Sequence, residues 1–236
     1  MPELNRTQAE EILEMFADGE GIESVNTSLA LHLVDIAREL GRDALVGRLL
    51  DHASSVALNP EDSGWCQFEL LKHQGADKDE LIGFGIKSES EGLTALAAGI
   101  FHHVSLLVLG TEDAAIFANR SMRLREKSED VEGMIYGHAL LAHIAKADND
   151  FEKSQLHLQK RLDIIPESAK FEKMEALADL AHSYSSLGEL EQAQAMLVES
   201  LTIAEQIDDL SGILVARWGL ADLAEISNQP DEAMVQ

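Results

Sequence analysis

The sequence predicts an all-α protein in which hairpins of antiparallel helices repeat at a nearly constant step. Three columns of residues carry this prediction. Small residues recur where the two helices of a hairpin pack closely: Ala115, Ser154, Ala193 and Ala233. Residues that tolerate a left-handed backbone recur at the turn inside each hairpin: Gly110, Asn149, Gly188 and Asn228. Another small column lies in the first helix: Ala142, Ala181 and Ala221. The steps of the first column are 39, 39 and 40 residues, so we expect stacked hairpins that bury their apolar faces against one another.

A short helix is predicted at the N-terminus. The run 7–10, Thr-Gln-Ala-Glu, has the form of a capping box, in which side chains satisfy free N–H groups at a helix start. Ile12, Leu13 and Phe16 follow at a spacing that places them on one helix face. We therefore expect a solitary helix that caps the first hairpin.

Two helix pairs are predicted next, and a glycine separates the helices of each pair. Gly41 and Gly75 are the breaks, because glycine favours the backbone conformation that ends a helix. The predicted pairs are 26–40 with 43–57 and 62–74 with 77–88. The repeat columns fade in this part of the chain, so we interpret these pairs as degenerate repeats.

The clearest hairpin lies between Leu177 and Leu201. Apolar and small residues follow one another at steps of three and four, break at Gly188 and resume at Leu190. This order of small, aromatic, glycine and alanine positions resembles the tetratricopeptide repeat (TPR), whose commonest form has about 34 residues. Since the step here is near 40 and acidic turns follow the second helices, the chain resembles the long-helix TPR variant of bacterial regulatory proteins.

The resemblance covers residues 91–236 and implies a right-handed superhelix, an α-solenoid of TPR-like hairpins. We expect one continuous solenoid, with the cap helix and degenerate repeats in 1–90 and the TPR-like repeats in 91–236. Pro230 suits the first turn of one more helix, and the sequence ends at Gln236. The last repeat is therefore expected to be truncated and the parent protein to continue beyond it.

The composition excludes several classes of protein. Eighteen basic residues against 43 acidic ones give a formal net charge of −25, so the mean field repels nucleic acids and anionic membranes and favours basic partners. Cys66 is the single cysteine, and Met1 is not followed by the basic stretch and apolar run of a signal peptide. We expect a cytoplasmic protein that binds neither nucleic acid nor membrane.

The sequence contains no assembled catalytic or metal-binding set. His102 and His103 are adjacent, so on a helix their side chains diverge. His138 and His143 are five residues apart, whereas a helical zinc pair needs a step of four. Cys66 lies among aromatic residues, which favours packing over reactivity. The expectation is no catalytic residue, no metal, no cofactor and no enzymatic activity.

The TPR resemblance implies a ligand groove on the concave face, lined by the first helix of each hairpin. Carried over position by position, the groove residues of one repeat are Tyr136, Ala139, His143 and Lys146. Those of the next are Glu175, Ala178, His182 and Ser185, and those of the last are Val215, Trp218, Asp222 and Glu225. His143, His182 and Asp222 then form one column that can share a ligand, or they are merely solvated. The Lys/Asn clamp of chaperone-binding TPR proteins is absent at Ala139, His143, Ala178 and His182.

The predicted function is a protein- or peptide-binding scaffold or sensory module, the N-terminal part of a larger bacterial signalling protein. One alternative is a homo-oligomerisation module that forms a homodimer through an open solenoid end. Another is a cytoplasmic peptide receptor, in which joint replacement of His143 and His182 weakens binding. An enzyme is the remaining alternative, and it lacks a nucleophile, base or metal set.

Overall fold

The computed structural model describes residues 6–17 and 21–227. These residues form α-helices joined by short turns and one 3-10 helix, Ile22–Ser24, with no β-strand among them. No helix in the described ranges combines the length and the hydropathy that a bilayer-spanning segment needs. The helices are α1 (Arg6–Ala17), α2 (Thr27–Glu39), α3 (Asp43–Val56), α4 (Pro60–Gln74), α5 (Lys78–Ser90), α6 (Thr94–Leu107), α7 (Glu112–Ser128), α8 (Val131–Ala147), α9 (Phe151–Ile164), α10 (Lys170–Ser186), α11 (Leu190–Gln206) and α12 (Leu210–Ile226).

Some predicted positions lie outside the described residues. They include Asn228, Pro230 and Ala233, and with them the predicted truncated helix. The side chain of Thr7, the predicted N-terminal cap, is likewise not described, and α1 already includes this residue. The capping box and the last hairpin therefore stay predictions.

The chain divides into two compact units, residues 1–100 and residues 101–236, and the division falls inside α6. In the first unit, α1, α2 and α3 surround a core in which Leu13, Leu33 and Leu49 are fully buried. Cys66 on α4 packs in this core and is 1% exposed. Burial raises the pKa of its thiol. The packing role predicted for Cys66 is thus confirmed.

Sequential antiparallel helix pairs build the second unit, as the repeat columns predict. The second helices α7, α9 and α11 begin at Glu112, Phe151 and Leu190, which are successively 39 residues apart. Ser154 and Ala193, from the column of small residues, are 2% and 0% exposed. A larger side chain there would force the helices of a hairpin apart. The fold is a TPR-like α-solenoid.

The turns inside the hairpins adopt the predicted left-handed backbone. The φ angles are 83° at Gly110, 61° at Asn149 and 78° at Gly188. Glycine reaches this region without strain, and asparagine reaches it more easily than most residues do. Each of these turns reverses the chain within a few residues, so it fixes the position of the next helix.

The core of the second unit joins consecutive hairpins. Leu180 on α10 is 1% exposed and packs with Ala142 on α8 and Leu158 on α9. The Ser200 hydroxyl on α11 donates to the carbonyl oxygen of Met174 on α10, at 2.9 Å. Leu220 and Leu223 on α12 pack in one cluster with Ala181 on α10. These contacts hold α8, α10 and α12 in sequence, and these three helices carry the predicted groove residues.

Candidate functional site: a groove along α8, α10 and α12

Three adjoining cavities follow α8, α10 and α12, and together we call them the groove. The central cavity has a volume of about 510 Å³ and includes Ala139, Ala178 and Val215. The α8 cavity, of about 300 Å³, shares Ala139 with it. The α12 cavity, of about 460 Å³, shares Ala178 and Val215 with the central cavity and His182 with the α8 cavity. Small side chains on α8 and α10 leave this space open.

Most of the predicted groove residues line these cavities. Those in the groove are Ala139, His143, Lys146, Glu175, Ala178, His182, Ser185, Val215, Trp218 and Asp222. Tyr136 and Glu225 lie outside the three cavities. His182 shares one cavity with His143 and another with Asp222. The structure therefore brings His143, His182 and Asp222 together as predicted. That these three residues share a ligand stays a prediction.

A buried arginine at the centre of the groove was not predicted from the sequence. Arg161 on α9 is 4% exposed, and its guanidinium donates to Asp179 on α10 at 2.8 Å. The same guanidinium lies 3.5 Å from a carboxylate oxygen of Glu175. The cavity walls remove water from both carboxyl groups, which raises the pKa of Asp179 and of Glu175 against the lowering effect of Arg161. Two carboxylates facing one cation make the central cavity acidic.

The α8 cavity differs from the central cavity because basic groups line it. Lys146 and His143 come from α8, and His182 and Ser183 come from α10. Burial and the charge of Lys146 lower the pKa of His182, while Asp179 and Asp222 act in the opposite direction. Asp179 lines both cavities, so the α8 cavity combines one carboxyl group with a lysine and two histidines, whereas carboxyl groups outnumber the single cation Arg161 in the central cavity.

The α12 cavity is the apolar part of the groove. Leu197 and Leu223, both 6% exposed, form its floor, and Ala181 lies beside them. Trp218, which is 71% exposed, lines the cavity as well. An exposed indole beside an apolar floor is suited to anchor a side chain of a bound polypeptide.

Outside the groove, two histidines form a close pair between α8 and α9. The Nδ1 atoms of His138 and His157 are 3.1 Å apart, so one ring donates a hydrogen bond to the other. Burial and the neighbouring His157 lower the pKa of His138 to about 4. Burial and two nearby lysines also lower the pKa of His157. Within the part of the chain that the structure describes, no group of three or more His, Cys, Asp or Glu side chains is arranged to hold a metal ion.

The observed fold and groove define the class of this protein as a TPR-like helical repeat. Its helices match the crystal structure of the apo form of RapI with a TM-score of 0.58 at 14% identity, covering 89% of this chain and 74% of RapI. They also match BtubC from P. vanneervenii with a TM-score of 0.52 at 15% identity, covering 98% of this chain and 85% of BtubC. No protein-family model and no curated protein matches the sequence. At these identities the likeness shows the fold alone.

Proposed function

We propose that this chain is a protein- or peptide-binding module whose ligand lies in the groove along α8, α10 and α12. The observation that carries this proposal is the continuity of the three cavities, which combine an apolar floor, an exposed tryptophan and both acidic and basic side chains. An extended polypeptide presents apolar and charged side chains in turn, so it matches such a surface better than a compact small molecule does. The module acts by binding, without catalysing a reaction itself.

The charge of the groove indicates what kind of ligand it takes. The acidic central cavity and the net charge of −25 favour a polypeptide that carries basic residues. We place this binding event in the cytoplasm, because the single cysteine is buried and free. As part of a larger bacterial signalling protein, the module would report the presence of the peptide or hold a partner protein in place.

Filling the groove is expected to weaken peptide binding strongly. Peptides are selected from a displayed random library on the wild-type chain, and their dissociation constants are measured by fluorescence anisotropy. Ala178→Trp places an indole where the central and α12 cavities meet, so we expect at least about thirtyfold weaker binding.

The matched control for this experiment is Val198→Trp. Val198 is half exposed on α11 and lies outside the three cavities, so this variant should bind the selected peptides as the wild type does. Unchanged affinity in Ala178→Trp, or a failure of the library to yield any binding peptide, would contradict the proposed function.

A second candidate function, self-association, is favoured by an apolar surface on α12. Leu210, Leu214 and Trp218 are 80%, 69% and 71% exposed and adjoin one shallow cavity. If two copies pair through this surface, light scattering across a dilution series will show a dimer that Leu214→Glu abolishes. A wild-type monomer at high concentration would remove this candidate.

A further inference from the structure

Two histidine rings face each other across the α8–α9 hairpin. The Nδ1 atom of His138 on α8 lies 3.1 Å from the Nδ1 atom of His157 on α9. The ring centroids are 5.4 Å apart, and the ring planes are inclined to each other by 37°. Neither residue lines the three cavities of the groove, so the proposed peptide binding gives this pair no role.

The two facing nitrogens share a single proton. A neutral imidazole has one nitrogen that carries a proton and one that carries a free lone pair. In the hydrogen-bonded pair, one Nδ1 atom is the donor and the other is the acceptor. If the donor ring moves its proton to Nε2, both Nδ1 lone pairs point into the same space. The two rings can then bind one cation together, and neither ring has to lose a proton to solvent.

The distance between the two nitrogens suits a tetrahedral metal ion. Zinc binds imidazole nitrogen at about 2.0–2.1 Å, so two nitrogens on one tetrahedral zinc ion are about 3.3 Å apart. The observed separation is 3.1 Å, and small rotations of the rings supply the difference. Within the described ranges, no third His, Cys, Asp or Glu side chain is placed to join the pair around an ion. Water would therefore complete the coordination.

The protonation state of the pair favours a metal ion, and two nearby lysines oppose it. Burial lowers the pKa of both rings, that of His138 to about 4, so both rings are neutral and able to bind a metal at pH 7. Lys153 and Lys160 on α9 are exposed, so water and salt screen their repulsion of a cation. His157 is partly exposed as well, and it gives the ion access from solvent.

We propose that His138 and His157 form a binding site for a divalent transition metal ion, which joins α8 to α9. Imidazole nitrogen favours zinc, nickel and copper, whereas magnesium and calcium favour oxygen. Residue spacing within one helix predicts no metal here, because the two histidines are 19 residues apart and lie on different helices. The site lies outside the groove and does not depend on the proposed peptide binding.

A zinc titration followed by NMR tests the site directly. The chain is labelled with ¹⁵N-histidine, freed of metal with a chelator and exchanged into chelator-free buffer before Zn²⁺ is added. We expect the Nδ1 resonances of His138 and His157 to shift together and to level off near one zinc ion per chain, with both protons then on Nε2. The same amount of Ca²⁺ should leave both rings unchanged.

Variants distinguish this site from zinc bound elsewhere on the acidic surface. His157→Gln keeps a side chain that can hydrogen-bond to His138 but removes one metal ligand, so we expect zinc binding at least about tenfold weaker by calorimetry. His32→Gln is the matched control, because it removes an exposed imidazole on α2 and should bind zinc as the wild type does. Circular dichroism verifies that both variants retain their helix content.

Thermal unfolding gives a second readout of the same site. An ion that binds only the folded chain stabilises it, so zinc should raise the unfolding temperature of the wild type and of His32→Gln more than that of His157→Gln. Equal increases in all three proteins would contradict a zinc ion that joins α8 to α9.

The inference is overturned if zinc leaves the two Nδ1 resonances unchanged, if calcium shifts them as zinc does, or if His157→Gln binds zinc as tightly as His32→Gln does. Shifts confined to other histidines would show adventitious zinc only and would overturn it too. The displayed peptides are selected with a chelator present, so the proposed function and the metal site can each fail while the other stands.

Discussion

Replacing Leu180 by alanine is expected to lower the free energy of unfolding by about 3 kcal/mol. Leu180 is 1% exposed, and it packs with Ala142 and Leu158 on the preceding hairpin. The variant loses the burial of the leucine methyl groups and leaves a cavity between α8, α9 and α10. Because α8 and α10 also form the walls of the groove, these helices can move only partly into the space that the leucine side chain leaves.

Urea unfolding followed by circular dichroism measures this effect. Leu156→Ala is the matched control, because Leu156 on α9 is 54% exposed and its truncation should change the free energy by less than about 0.5 kcal/mol. Equal losses in the two variants would show that Leu180 does not join the hairpins as described.

Acidification is expected to destabilise the fold through the histidine pair of α8 and α9. Burial, and then His157, lower the pKa of His138 from 6.5 to about 4. Between these values the folded chain keeps the ring neutral while the unfolded chain binds a proton. The stabilisation is therefore complete above pH 6.5 and is lost as the pH falls towards 4, by up to about 3 kcal/mol.

The free energy of unfolding, measured across this pH range for the wild type and for His138→Gln, tests the assignment. Glutamine can still hydrogen-bond to His157 but does not titrate, so the pH dependence of the variant should be smaller by most of that amount. Comparing slopes cancels any constant cost of the substitution. Identical slopes in both proteins would show that His138 does not titrate as described.

The repeat could be predicted from the sequence because local steric constraints determine which residues stand at its turns and at its close helix contacts. Asn149 and Gly188 reverse the chain, and few other residues adopt that backbone without strain. Ala181 and Ala193 are small because two helices meet there. The repeat step of 39 residues then places His143 and His182 at equivalent positions of consecutive hairpins, which is why most predicted groove residues line the cavities.

The polar interior of the groove could not be predicted in the same way. Arg161 stands 39 residues after Met122 and 39 before Ser200, so its column is apolar in one repeat and small in the next. Asp179, which pairs with Arg161, follows the predicted groove residue Ala178 in the sequence. The resemblance to the TPR does not itself place Asp179 in the groove. The pairing of His138 with His157 depends on the distance between two helices, and residue spacing within one helix does not report it. A charged residue in a column of core residues is the one sequence signal that points to Arg161.

Photo-crosslinking from within the groove tests most directly whether the groove binds a polypeptide. Benzoylphenylalanine is introduced in place of Ser185, which lines the α12 cavity, and in a second protein in place of Val198 on α11. Peptides selected on the wild-type chain are then irradiated with each protein and the adducts are identified by mass spectrometry. Our account predicts adducts from position 185 that disappear when Ala178→Trp is added, and none from position 198. Adducts from position 198 and none from position 185 would contradict it.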